Sequence, residues 1–259
     1  MIFGRIRSHM ETLRLLGVGG YLSYLVFKRF DPVRARLLYV KHVKRRCPHP
    51  FLLSVRYGYR RSRVSRGYVV EVSAGLYRAY NVVYASTKHY LSDLLDFSIG
   101  ALEEISCRHI YNIDPRGDYL VDIGSTLGEF SLYMLAKGFR GRIVSVEPLV
   151  YTRLYEEGEP LDHIHYSIFI ESPEDFNKIL GGVRGRAIVK IDCEGCEKHL
   201  RPHHLRNLEP GSMLLLETHG EKIENKILPK ILATGFRIEN QQTINKEEDV
   251  RLYTMIYDL

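Results

Sequence analysis

Tyr119-Leu-Val-Asp-Ile-Gly-Ser-Thr-Leu-Gly-Glu-Phe130 is the stretch that decides the fold. An apolar run of strand length ends at Asp122. Gly124 and Gly128 follow, with a helical pattern behind them. A second apolar run, Arg142-Ile-Val-Ser-Val-Glu-Pro148, ends in the carboxylate of Glu147. Strand, glycine turn, helix and strand with a terminal acid is the layout of a nucleoside-binding crevice. Glycines let backbone approach a ligand where a Cβ would collide. A carboxylate in the place of Glu147 accepts both hydroxyl hydrogens of a ribose. The loop spacing is D-x-G-x-x-x-G, which matches neither the nicotinamide-cofactor motif nor a Walker loop.

Downstream, the pattern repeats. His163–Ile170 is strand-like. Ser172-Pro-Glu-Asp175 has the makings of a helix start, with a capping serine and proline at the first position. Ala187–Ile191 is a buried strand ending at Asp192, and Ser212–His219 another, carrying Glu217 and His219 at its end. Thr152–Glu159 reads as a polar connection. Glu197–Leu208 reads as a helix disturbed at Pro202, and Glu221–Ala233 as a helix with a kink at Pro229. Phe236–Asn240 and Arg251–Tyr257 fit a closing antiparallel pair. Alternating strands and helices imply a mainly parallel sheet, whose ligands lie beyond the carboxyl ends of the strands. Polar groups gather at four such ends: Asp122, Glu147, Asp192, and Glu217 with His219.

Upstream, residues 1–46 read mostly as cationic helices. Phe51–Val55, Tyr68–Val72 and Leu76–Tyr84 are rich in β-branched and aromatic residues and read as strands. A basic, tyrosine-bearing loop, Arg56–Arg66, separates the first two. Ser86-Thr87 can cap a helix over 88–107. Charge divides the chain sharply. Residues 1–66 hold 16 Lys or Arg against Glu11 and Asp31, 16 − 2 = +14, and the remainder holds 21 against 29, or −8. Such asymmetry fits an anionic partner, either a membrane surface or RNA, or else a basic face docked on the acidic remainder. No apolar run approaches the roughly 20 residues of a membrane span. A cytoplasmic chain, peripheral to a membrane if residues 1–66 attach to one, is the expectation.

Two further blocks narrow the ligand. Lys190-Ile-Asp-Cys-Glu-Gly-Cys-Glu197 closely resembles the K-I-D-x-E-G-x-E block of the FkbM family of methyltransferases. Leu216-Glu-Thr-His-Gly220 resembles that family's E-x-H segment, and Val121–Ser131 its first block. The resemblance covers roughly residues 86–259, behind a basic N-terminal extension over 1–85. It implies a Rossmann-like class I methyltransferase fold, a mainly parallel seven-stranded sheet with helices on both faces. It also implies S-adenosylmethionine as methyl donor and a hydroxyl of a saccharide, glycolipid or related molecule as acceptor. By position, Asp122, Gly124, Ser125, Gly128 and Glu147 would hold the donor, and Asp192, Glu194 and His219 would face the acceptor.

The donor brings the electrophile, so the protein must align the acceptor oxygen and remove its proton. His219 or Asp192 could serve as base, with His219 preferred and Asp192 positioning it. A divalent metal on Asp192, Glu194 and Glu217 is a less favoured route to the same end. The acids could also pair with Lys190, Lys198 or Arg201 and merely brace the sheet. The four cysteines, Cys47, Cys107, Cys193 and Cys196, make no dense disulfide framework. Cys193 and Cys196 read as small packing residues, in preference to zinc ligands with His199, His203 and His204 or to a redox dithiol. An RNA methyltransferase using the basic N-terminal part and a non-enzymatic binding module on the same fold are the competing functions.

Overall fold

The structure is a computed structural model, and it describes residues 22–23, 49–61, 68–86, 98, 100–105, 108–245 and 249–258. The helices expected within 1–46, the tip of the basic loop and most of the helix expected over 88–107 lie outside these residues; 100–105 are helical.

Seven strands form the central sheet: β4 (Tyr119–Ile123), β5 (Arg142–Val146), β8 (His163–Tyr166), β9 (Ala187–Ile191), β10 (Met213–His219), β11 (Phe236–Asn245) and β12 (Val250–Tyr257). Their spatial order is β8-β5-β4-β9-β10-β12-β11. Neighbours from β8 to β10 are parallel, and β12 runs antiparallel to both β10 and β11. This is the expected Rossmann-like sheet, with the closing antiparallel pair at one edge. The chain runs outward from β4 through β5 to β8 and then returns to place β9 on the other side of β4, so the crevice opens beside the β4 and β9 ends.

Alternate residues of the central strands feed two cores. Leu120, Ile143, Ile188 and Leu215 face one side, and Val121, Val144, Val189 and Leu214 face the other. This two-sided burial is why these strands read as unbroken apolar runs. On the first face lies helix α2 (Glu129–Ala136), whose Phe130, Leu132 and Met134 are buried. On the second lie α3 (Pro173–Leu180) and α4 (Glu221–Leu232), through Phe176, Ile179, Ile227 and Ile231. The expected start of α3 is present as a capping box: the backbone N–H of Ser172 donates to Asp175 Oδ2 at 3.1 Å. Pro229 sits inside α4.

Over the first face lies a second, antiparallel sheet, β1 (Val55–Arg61), β2 (Tyr68–Ala74), β3 (Ala79–Ala85), β6 (Val150–Glu156) and β7 (Glu159–Pro160), in the order β1-β2-β3-β6-β7. It draws strands from both sides of residue 85. Phe51–Val55 is not a strand: Pro50–Ser54 forms a helical turn, α1, with Pro50 in its first turn and the His49 ring accepting the Phe51 N–H. Thr152–Glu159 is likewise not a plain connection. Val150, Thr152 and Leu154 turn inward while Tyr151 and Arg153 face out, the period of a half-buried strand. Two histidines fasten this strand to the central sheet. Thr152 Oγ1 lies 3.0 Å from His165 Nδ1, and His163 accepts the Leu154 N–H at 3.2 Å while reaching Ser145 Oγ at 3.0 Å. Burial, then the neighbouring His165, lowers the His163 pKa to about 4, so it serves as a neutral bridge.

Candidate active site

A cavity of about 520 Å3 opens at the carboxyl ends of β4, β5, β9 and β10, within the size range of small-molecule sites. Asp122, Gly124, Ser125, Glu147, Asp192 and Glu194 all line it. Gly128 and His219 stand one layer behind. Glu104, Thr126, Lys190, Glu217 and the Cys193–Cys196 pair also form its wall.

The glycine loop is shaped mainly by its protein neighbours. A Cβ on Gly124 (φ +76°) would sit 1.7 Å from the Asp192 carbonyl oxygen, so this glycine lets the β4 and β9 ends meet. A Cβ on Gly128 (φ +86°) would sit 2.5 Å from Asn81 Nδ2, which donates to the Leu127 carbonyl at 2.9 Å. Strand β3 thus props the loop from beneath. Glu129, at the start of α2, holds the loop from within, accepting from the Thr126 hydroxyl (2.8 Å), the Leu127 N–H (3.2 Å) and the Ser98 hydroxyl. Gly124 and Ser125 both donate their N–H to the Val146 carbonyl, at 3.0 and 3.1 Å. The Ser125 hydroxyl is buried on the cavity wall and has no hydrogen-bond partner among the described residues, which leaves it able to pair with a ligand.

Lys190 is the electrostatic centre. Its Nζ lies 3.0 Å from Asp192 Oδ2 and 3.6 Å from Asp122 Oδ1, and donates to the Gly124 carbonyl at 3.3 Å. Burial opposes its charge, but Asp192 and Asp122 outweigh that and raise its pKa. Asp122 is fully buried, accepts from Ser131 Oγ at 2.9 Å, and is raised chiefly by burial. Lys190 thus pairs with both Asp192 and Asp122, the arrangement that the bracing alternative describes. Glu147 lies just beyond β5, accepts the Leu149 N–H at 3.2 Å, and is pushed up to about 7 by burial.

His219 sits in a cage of carboxylates. Glu197, fully buried, uses one oxygen to accept both the His219 backbone N–H (3.0 Å) and ring Nδ1–H (3.1 Å). On the other side, Nε2 is 3.4 Å from Glu194 Oε2 and 3.5 Å from Glu217 Oε1. Burial works against the imidazolium, but the Glu197 bond and the surrounding acids raise its pKa to about 9. Held protonated at neutral pH, His219 has no lone pair with which to take a proton. This geometry argues against His219 as the base, whereas Asp192, 3.0 Å from Lys190 Nζ, lines the cavity directly.

Asp192, Glu217 and His219 offer ligand atoms within 4.8 Å of one another, so His219 takes the place expected of Glu194 in any metal set. Two carboxylates and an imidazole suit a divalent ion by type. Both ring nitrogens already face acids, however, and Lys190 already neutralises Asp192. These residues fit a proton and cation network better than a metal.

The expected helix over Glu197–Leu208 is instead two 3-10 turns, Cys196–His199 and Pro202–Leu205. Left-handed Gly195 and the missing N–H of Pro202 keep either from growing. Cys193 and Cys196 are joined by a disulfide, which corrects their reading as mere packing residues. Of the residues that sequence reasoning passed over, Glu197 stands in the block that drew attention to Asp192. Asn81 carries no local signal.

No protein-family model and no curated protein matches the chain. Among solved structures it is similar to a ribosomal protein L11 methylase from Lactobacillus delbrueckii subsp. bulgaricus, with 12% identity, 64% of this chain and 80% of that one covered, and a TM-score of 0.41. It is also similar to Aeropyrum pernix fibrillarin with natively bound S-adenosyl-L-methionine (14%, 78% and 100%, 0.40). A third is an O-methyltransferase family protein from Burkholderia thailandensis (9%, 66% and 60%, 0.41). Likeness of this degree says nothing about activity.

Proposed function

We propose that this chain is an S-adenosylmethionine-dependent O-methyltransferase of the FkbM type, acting on a hydroxyl of a saccharide, glycolipid or related molecule. The family assignment rests on the three sequence blocks alone. The observation that carries the activity is the acid-rich cavity wall. Seven acidic side chains (Glu104, Asp122, Glu147, Glu171, Asp192, Glu194 and Glu217) line it against Lys190 and Lys198. Burial raises the pKa of Glu104, Asp122, Glu147 and Glu217, and a bound cation would favour their ionised forms. Such a wall favours a cationic ligand that also bears ribose hydroxyls and an apolar ring, and Ile168, Phe169 and Leu149 supply the apolar part.

The bound donor supplies an activated methyl group on a sulfonium. Glu147 accepts the ribose hydroxyl hydrogens, and Ser125 offers its unpaired hydroxyl. Asp192 accepts the proton of the acceptor hydroxyl as the oxygen attacks in line. Lys190, 3.0 Å away, orients Asp192. His219, held by Glu197, stands between Glu194 and Glu217 and eases their close approach, with the Glu217 carboxyl itself raised to about 9, chiefly by burial.

The test is a melting-temperature shift with S-adenosylmethionine, followed by methyl-transfer assays across glycan, lipid and RNA fractions. A shift that is absent in the wild type would overturn the reading. Transfer into RNA alone would move the acceptor to a ribose hydroxyl.

A further inference from the structure

The Cys193–Cys196 bond closes a four-residue ring inside the cavity wall. Within the ring, Glu194 (φ +54°) and Gly195 (φ +105°) are both left-handed. That ring carries the partners of His219 on both sides. Glu194 faces Nε2 at 3.4 Å, and Glu197, one residue beyond Cys196, receives Nδ1–H and the backbone N–H. Cys193 Sγ itself lies 4.0 Å from Glu197 Oε2. Asp192 immediately precedes the ring. A single covalent bond thus fixes the backbone that presents three acids to one imidazole and one lysine.

We propose that the Cys193–Cys196 disulfide is a redox-sensitive clasp that positions His219 and Asp192 at the cavity. Opening it breaks the S–S bond. A dithiol reductant supplies two electrons and two protons, closes to its own disulfide, and leaves two cysteine thiols. Glu194 and Gly195 then relax from the left-handed conformation, and Glu197 loses the covalent brace beside it. The consequence for catalysis rests on the methyl-transfer reading above, whereas the state of the loop can be read without substrate.

The experiment uses the full chain, purified without reductant and compared before and after dithiothreitol. Mass mapping under alkylation should find residues 193 and 196 bridged before treatment and free after it. Reduction should speed amide exchange over residues 193–199 at least about tenfold and shift the His219 ring resonances, with exchange over Gly124–Gly128 changed less than about threefold. Cys193→Ser/Cys196→Ser should show the fast exchange from the start and ignore dithiothreitol, while Cys47→Ser/Cys107→Ser should keep the wild-type response. Unchanged exchange on reduction, free thiols at 193 and 196 before it, or a response that survives in Cys193→Ser/Cys196→Ser would each overturn the clasp. S-adenosylmethionine binding is measured in parallel by calorimetry. If it fails in both states, the methyl-transfer reading falls while the exchange data still decide the clasp.

Discussion

Glu147 is poised to report its own ligand. Its carboxyl is pushed up to about 7 by burial, yet ribose hydroxyls bond best to the ionised form. Binding must then expel a proton below neutrality. S-adenosylmethionine affinity should fall by up to about tenfold per pH unit as pH drops below 7. Calorimetry between pH 5.5 and 8.5 checks this, and Glu147→Gln should bind more weakly with a flat pH profile. His219 makes the complementary case for stability. Its folded pKa of about 9 lies above the ordinary histidine value of 6.5. Its contribution is fully present below 6.5 and is lost as pH rises through 9. Partial exposure discounts the size to about 1–3 kcal/mol. Denaturant midpoints measured from pH 6 to pH 10 should therefore decline more in the wild type than in His219→Asn, which cannot hold the extra proton.

At the scale of elements, the glycine loop depends on β3 as much as on β4. Gly128→Ala places a methyl group against Asn81 Nδ2 in a left-handed backbone, and should destabilise the fold by about 1–3 kcal/mol. Asn81→Ala removes the clash but also the bond to Leu127. The double variant should thus cost less than the sum of the singles, and a double-mutant cycle by denaturant unfolding measures the difference. Such dependence explains what the sequence concealed. The rim acids were legible because a strand buried on both faces is an unbroken apolar run, and Asp192 and Glu147 each stand just where such a run stops. Strand β6 was not, since its inward Val150, Thr152 and Leu154 alternate with Tyr151 and Arg153 in a polar context. The roles of Asn81 and Glu197 arise from partners 46 and 22 residues away in sequence, and no local pattern encodes such contacts. The charge of His219 was hidden for the same reason. Histidine beside one carboxylate reads as a base, but three carboxylates around it make it a cation.

For the whole molecule, the decisive feature is charge segregation, +14 over residues 1–66 against −8 over the rest. Among the described residues no helix is long and apolar enough to cross a membrane. The described acidic surplus lies partly in the cavity wall itself, and a basic segment folded onto it would block a cationic donor. An external anionic partner would avoid that conflict. We therefore expect the intact chain to be retained by vesicles containing phosphatidylserine at low salt and released over a rise to about 0.5 M, where the Debye length has fallen below 5 Å. Neutral phosphatidylcholine vesicles should not retain it at any salt. Replacing Lys41, Lys44, Arg45 and Arg46 with glutamine should weaken retention by about 1 kcal/mol for each residue that lies near the surface. Retention that ignores salt would mean apolar insertion instead, and retention by RNA but not by vesicles would shift the acceptor from a lipid-linked glycan to a ribose hydroxyl.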